Sequence, residues 1–148
     1  MNGTLLKLGS LLGLACAIIG LSYMILNNGI LSTNPIGIIV QVCAAALMIW
    51  ARITFGSRSF HATANTTAGG LVTNGPYRFL RHPIYAAIIY FAWAAALSDR
   101  RIYILGAATF ISVGLIARML IEEKFLNSEY SDYKSYSEKT VRLIPFLF

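Results

Sequence analysis

Gly75-Pro76-Tyr77-Arg78-Phe79-Leu80-Arg81-His82-Pro83-Ile84-Tyr85 sets two arginines, a histidine and two tyrosines against the start of an apolar run. Polar groups at such a boundary are costly unless they hold something. This segment is therefore the first candidate for a ligand site. The chain around it is built for lipid: of 148 residues, 57% are hydrophobic and 12% charged, with a mean hydropathy of +0.65. A soluble domain has about a quarter of its residues charged. The net charge of +6 does not indicate nucleic acid, because the arginines form no solvated basic tract.

Upstream, residues 52–81 are polar and glycine-bearing, with Arg52, Arg58, Arg78 and Arg81 and no acidic residue. Long ordered connections of this kind are usually functional, though what Arg52, Arg58 and His61 contact is left open. Before them come two apolar runs. Residues 5–26 are interrupted only by Lys7 and would form about 33 Å of helix, enough to cross a bilayer. The run resembles a secretion signal, but it continues well past Ala15-Cys16, and Gly13 stands where a lipoprotein signal would have a larger aliphatic residue. It reads as a retained anchor. Asn27-Asn28-Gly29 and Ser32-Thr33-Asn34-Pro35 break it, with Pro35 suited to the first turn of a second span over 36–53. Trp50 and Arg52 end that span as interfacial anchors.

Downstream, residues 83–97 are apolar but would give only about 22 Å of helix against about 30 Å of hydrocarbon. That run must tilt, start earlier or be partly covered. After Ser98-Asp99-Arg100-Arg101 a fourth run covers 102–121, and the tail, 122–148, holds every acidic residue except Asp99. Tyr130, Tyr133 and Tyr136 suggest one face of a short amphipathic helix in that tail. The whole chain reads as one all-α membrane domain of about four spans. The arginine-rich connection places itself, both termini and the tail on the cytoplasmic side. Cys16 and Cys43 lie in separate apolar runs with no partner at metal spacing, and read as small buried hydrophobes rather than metal ligands.

Three constellations could carry chemistry. Pro83 would start a helix, putting Arg81 and His82 at its N-terminal edge, where free N–H groups and the dipole favour an anion. The alternative is that Arg78 and Arg81 reach lipid phosphates while the tyrosines form an interfacial belt. Arg118 and Glu122 are four apart on one helical face and could pair, with Glu123 pointing elsewhere. Tyr133-x-x-Tyr136 and Arg142-x-x-Pro145 complete the series, and interfacial packing explains the tyrosines as readily as ligand contact.

The order Gly-Pro-Tyr-Arg-x-x-Arg-His-Pro-x-Tyr (75–85), Arg-x-x-x-Glu-Glu (118–123), Tyr-x-x-Tyr (133–136), Arg-x-x-Pro (142–145) resembles the isoprenylcysteine carboxyl methyltransferases. These are integral membrane enzymes related to phospholipid methyltransferases. The resemblance runs over about half the chain, from Gly69 to Pro145, and the first two spans carry no signature. It implies a cofactor pocket for S-adenosylmethionine facing the cytosol and closed by the tail. By that resemblance Leu71, Val72, Tyr77, Arg81, His82, Pro83, Tyr85, Glu122, Tyr133, Tyr136 and Arg142 bind the cofactor. By the same resemblance Arg118 holds a substrate carboxylate. An amine acceptor would have to lose a proton first, and Glu123 or His82 is then the candidate base.

The chain departs from the pattern in three ways: Ala87 for a common glycine, Glu129-Tyr130 for a frequent Phe-Gly, and shortness. The acceptor expected is a prenylcysteine-like or other amphiphilic carboxylate in the bilayer. The alternatives are a phospholipid or amine N-methyltransferase, an NADPH-dependent membrane reductase, and a non-catalytic scaffold. Sterol reductases have a related Arg-His-Pro-x-Tyr segment but are longer and usually carry Asn and an acidic residue where Ile84 and Ala87 stand here. Oligomeric state is not legible.

Overall fold

A computed structural model describes residues 3–56 and 70–144 of the chain. Arg58, His61 and Pro145 lie outside the described residues. The described chain is all-helical: α1 (Gly3–Leu26), α2 (Pro35–Phe55), a 3-10 turn (Gly75–Arg78), α3 (Pro83–Asp99), α4 (Ile102–Glu129) and α5 (Tyr133–Lys139). By length and composition α1, α2 and α4 can each cross a membrane, and α3 is a shorter apolar helix. Its 17 residues make about 26 Å, so it begins and ends close to the hydrocarbon boundary. The protein is an integral membrane helical protein.

Punctuation in the sequence sets the helix ends. Asn34 caps α2 by accepting the Gly37 N–H at 2.7 Å, with Pro35 in the first turn. Pro83 opens α3. Arg100 ends α3 in the left-handed conformation (φ 60°), its N–H donating to the Ala96 carbonyl. No such signal follows Ile121, so α4 runs eight residues beyond the expected span, to Glu129. Glu122 and Glu123 therefore belong to this helix rather than to the tail. Tyr130 caps the end of α4, which leaves only Tyr133 and Tyr136 of the expected tyrosine face on α5.

The helices pack in the order α1–α4–α3–α2. The α1–α4 seam is close because glycines face each other. A Cβ on Gly13 would meet the Gly114 carbonyl at 2.5 Å, and one on Gly114 would meet Cys16 Cβ at 2.5 Å. Small residues allow this approach where lipid provides no hydrophobic drive between helices. Met24, Ile104, Ile111 and Leu115 fill the seam, flanked by Ala92, Ala95 and Ala96 of α3. α2 packs mainly on α3, which leaves Ile36, Ile39, Val42 and Ile53 exposed, as lipid-facing side chains are. Cys43 is also exposed there, contrary to the expectation that it is buried, whereas Cys16 is half-buried against α4.

At the end of the bundle that holds Asn34 and Ser98, Gln41 ties the α1–α2 connection to both neighbouring helices. Its Oε1 accepts the Ser32 N–H at 2.9 Å, and its Nε2 donates to the carbonyls of Ile30 (2.8 Å) and Phe91 (3.2 Å). Replacing Gln41 with leucine leaves these buried groups unpaired, at about 1–3 kcal/mol. Helical circular dichroism of detergent-purified Gln41→Leu is expected to be lost at a lower temperature than in the parent.

Candidate active site

The site is built where the 75–85 segment, α3, α4 and the tail converge on a small apolar floor of Leu80, Ala86, Met119 and Leu143. Gly75 starts the segment with a positive φ of 55°, and a Cβ there would meet Thr54 Oγ1 of α2 at 2.5 Å. Only glycine allows both the turn and the contact. The turn seats the Tyr77 ring against Phe55, 5.4 Å between centroids.

The tail then pairs with the segment. Leu80 and Val141 form an isolated parallel bridge, in which Arg81 N–H donates to the Val141 carbonyl (2.8 Å) and Val141 N–H to the Phe79 carbonyl (3.1 Å). His82 N–H donates to the Arg142 carbonyl at 3.2 Å. The backbone donors of Arg81 and His82, expected to be open to an anion, are thus taken by the tail. Tyr136 Oη donates to the Tyr77 carbonyl at 2.7 Å, and Tyr90 Oη donates to the Leu143 carbonyl.

Two carboxylates on α4 organise the polar groups. Glu122 accepts from Tyr85 Oη at 2.6 Å and lies 3.0 Å from Arg118 Nε, the pair expected from their spacing. Arg118 is only 4% exposed. Its Nε also donates to Tyr85 Oη (2.7 Å) and its Nη1 to the Ser10 carbonyl of α1 (3.0 Å). Glu123 faces the other way, accepting from Arg142 Nε at 2.9 Å and standing 3.5 Å from Arg81 Nε. His82 joins the two sets: its ring lies 3.4 Å from Glu123 through Nε2, 3.9 Å from Glu122 through Nδ1, and parallel to the Tyr85 ring.

Within this cluster Arg81 Nε and His82 Nε2 face Glu123 Oε1 at ion-pair distance without forming hydrogen bonds, and the buried Tyr133 Oη has no hydrogen-bond partner. Buried polar atoms are rarely left so. Donors and an acceptor, with charges of both signs, are gathered in one place.

Of the residues singled out in the sequence, Tyr77, Arg81, His82, Tyr85, Arg118, Glu122, Glu123, Tyr133, Tyr136 and Arg142 share this network or its tyrosine margin. Pro83 supplies the helix start, and Leu71 and Val72 are half-buried on the approach to the 3-10 turn. The reading missed Ser10, Gly13, Phe55 and Tyr90. The only available signal for the first two was small residues recurring on α1 at Gly9, Gly13, Ala17 and Gly20.

The family model for phospholipid methyltransferases matches residues 33–133. The chain belongs to this family. The match extends further upstream than the motif resemblance, taking in α2, and ends at α5 before Tyr136 and Arg142. No curated protein and no solved structure matches the chain. Membership makes the protein a membrane methyltransferase acting on lipid-like substrates. The family includes the isoprenylcysteine carboxyl methyltransferases.

Burial raises the phenol pKa values of the tail and turn. Tyr77 and Tyr133 are pushed well above the ordinary tyrosine range, and Tyr136 to about 12, where Arg81 partly offsets the burial. A pKa raised in the folded state leaves stability unchanged below the unfolded value near 10. Above it the unfolded chain loses the proton more readily, so the Tyr136 contribution falls away between pH 10 and about 12. Absorbance titration of tyrosinate is expected to show a late phase in Tyr136's range, which loses one tyrosine in Tyr136→Phe.

Proposed function

We propose that this protein transfers a methyl group from S-adenosylmethionine to the polar head of a bilayer amphiphile, by O-methylation of a carboxylate such as that of a prenylcysteine. The observation that carries the choice of acceptor is the engagement of both site carboxylates: Glu122 by Arg118 and Tyr85, Glu123 by Arg142, Arg81 and His82. A protonated amine must give up a proton before it attacks, and an acid already committed to cations is a poor acceptor of it. A carboxylate needs no base.

The residues present fit the cofactor. Arg81, His82, Glu123 and Tyr133, whose buried polar atoms make no hydrogen bond although the first three lie at ion-pair distance, offer both signs of charge to the ammonium and carboxylate of an amino acid. Leu71, Val72, Tyr77, Pro83 and Tyr85 would provide apolar and aromatic surface, and Glu122, Tyr136 and Arg142 further polar contacts. When bound, S-adenosylmethionine supplies a methyl group activated by a sulfonium. The task left to the protein is alignment and exclusion of water, because joining opposite charges is favoured in a dry pocket. Arg118, deep between α1, α3 and α4, would orient the acceptor's carboxylate. The tail would cover the site while the acceptor's hydrocarbon stays in the bilayer. The orientation proposed puts this site and both termini in the cytoplasm, on the side of Arg52, Arg78, Arg81 and Arg142.

N-methylation of a phospholipid head is the second reading, favoured by the description of the matched family. Glu123 would then have to leave Arg142 to accept the proton.

Both readings are separated by one assay. The purified protein is given methyl-labelled S-adenosylmethionine with either S-farnesylcysteine or phosphatidylethanolamine vesicles. Label released by alkali from the farnesylcysteine product marks an ester, and alkali-stable label in the phospholipid marks N-methylation. Arg118→Ala is expected to raise the carboxylate acceptor's KM about tenfold, or about 1.4 kcal/mol. An unchanged KM would remove Arg118 from the acceptor site. Calorimetric binding of S-adenosylhomocysteine is expected to be lost in Glu122→Gln. If the parent binds a reduced dinucleotide phosphate instead, the cofactor assignment is wrong.

A further inference from the structure

The family match begins at residue 33, after α1 has ended. Yet α1 holds the site's most buried charge at two points. At its tip, the Arg118 guanidinium donates from Nη1 to the Ser10 carbonyl at 3.0 Å. At its base, Arg118 lies so close to Gly13 that a Cβ on the glycine would stand 2.9 Å from Arg118 Cβ and 3.4 Å from Arg118 N. These two contacts come from residues three apart, on one face of α1. Ser10 is fully buried, and its Oγ has no hydrogen-bond partner. The carbonyl that receives Arg118 is therefore screened from water, where a charge-assisted bond is strong.

We infer that α1 is a working part of the site: Gly13 and the Ser10 carbonyl are positioning groups that set the place of Arg118 against the acceptor head. The inference rests on the reading that Arg118 meets the acceptor. Without α1, the guanidinium would keep Tyr85 and Glu122 but lose its Nη1 bond to the Ser10 carbonyl. A planar guanidinium fixed at Nη1 as well as at Nε is constrained at both ends of its plane, and the Ser10 carbonyl supplies a contact at Nη1. The glycine matters because the obstacle to a methyl group there is backbone, the Gly114 carbonyl at 2.5 Å, as well as Arg118 itself. Backbone cannot step aside as a side-chain end can. Gly9, one turn earlier, is different: a Cβ there would meet only the Cδ1 end of Ile121, at 2.9 Å.

The test uses the full chain and S-farnesylcysteine as acceptor, with saturating S-adenosylmethionine. Gly13→Ala is expected to raise the acceptor's KM about fivefold to tenfold, which is about 1 to 1.4 kcal/mol. Its affinity for S-adenosylhomocysteine should stay within about twofold of the parent. S-Farnesylcysteine binding measured by calorimetry without cofactor should weaken in parallel. Gly9→Ala, the control for loosened packing, should leave KM unchanged whatever its thermal midpoint. A Gly13→Ala effect on KM no larger than that of Gly9→Ala would overturn the inference.

Arg118→Lys provides a second measurement if Gly13→Ala does not fold. A single ammonium keeps the charge but cannot reach the Ser10 carbonyl while keeping the place of Nε, so its KM should rise as in Gly13→Ala. Parental KM in Arg118→Lys would show that charge alone suffices and that no anchor on α1 is needed. Arg118→Ala, run alongside, separates the two failures. If it leaves KM unchanged, the acceptor reading falls and takes the inference with it. If it raises KM while Gly13→Ala and Arg118→Lys do not, the acceptor reading stands and only the role of α1 is lost.

Discussion

The polar groups gathered on the C-terminal half of α4 are arranged around the need to neutralise charge at the edge of a lipid-soluble body. Glu122 and Glu123 are neighbours on α4, so they point about 100° apart. One reaches Arg118 and Tyr85 within the helices, and the other reaches Arg81, His82 and Arg142 on the connecting segment and tail. Removing one partner of a buried pair is far more damaging than the net value of the pair, because it strands the other charge. The two carboxylates therefore secure two separate stretches of chain, residues 81–85 and the tail, to α4. That arrangement, more than any one hydrogen bond, gives the site its shape.

The apolar part of the molecule supports this with very little side-chain bulk. Alanines of α3 and glycines of α1 and α4 let the helices approach closely, while larger residues such as Met24 and Ile111 fill the gaps between them. Close approach lets a side chain on α4 bond the backbone of α1. Bulky residues at that level would hold the helices too far apart for Arg118 to reach a main-chain carbonyl.

Much of this was legible in the residues. Pro35 and Pro83 announced helix starts because proline suits a first turn and little else in a helix. The four-residue spacing of Arg118 and Glu122 announced their pairing, because helical geometry makes such residues neighbours. Less visible were features that depend on tertiary contact. Nothing local marks the end of α4, since Glu122 to Glu129 contains no proline or glycine, and a fall in hydropathy looks the same whether the helix stops or emerges into water. The pairing of Val141 with Leu80 could not be read from the sequence, because a bridge of one residue on each side leaves no alternating pattern. Ser10 contributes a carbonyl, which every residue has, so its identity could not signal its use. The seam with α4 was written only as recurring small residues, a pattern common to many membrane helices.

The bridge between Leu80 and Val141 has a consequence for how the protein comes into being. The two residues are far apart in the chain, and α3 and α4 lie between them. Chain order alone dictates that Arg81 and His82 are made before Val141 and Arg142, with both helices of the hairpin between them. Closing the bridge therefore joins the two open ends of the α3–α4 hairpin. The backbone donors of Arg81 and His82 find these partners only after that hairpin has been made, so the polar end of the molecule works as a clasp on helices that precede it.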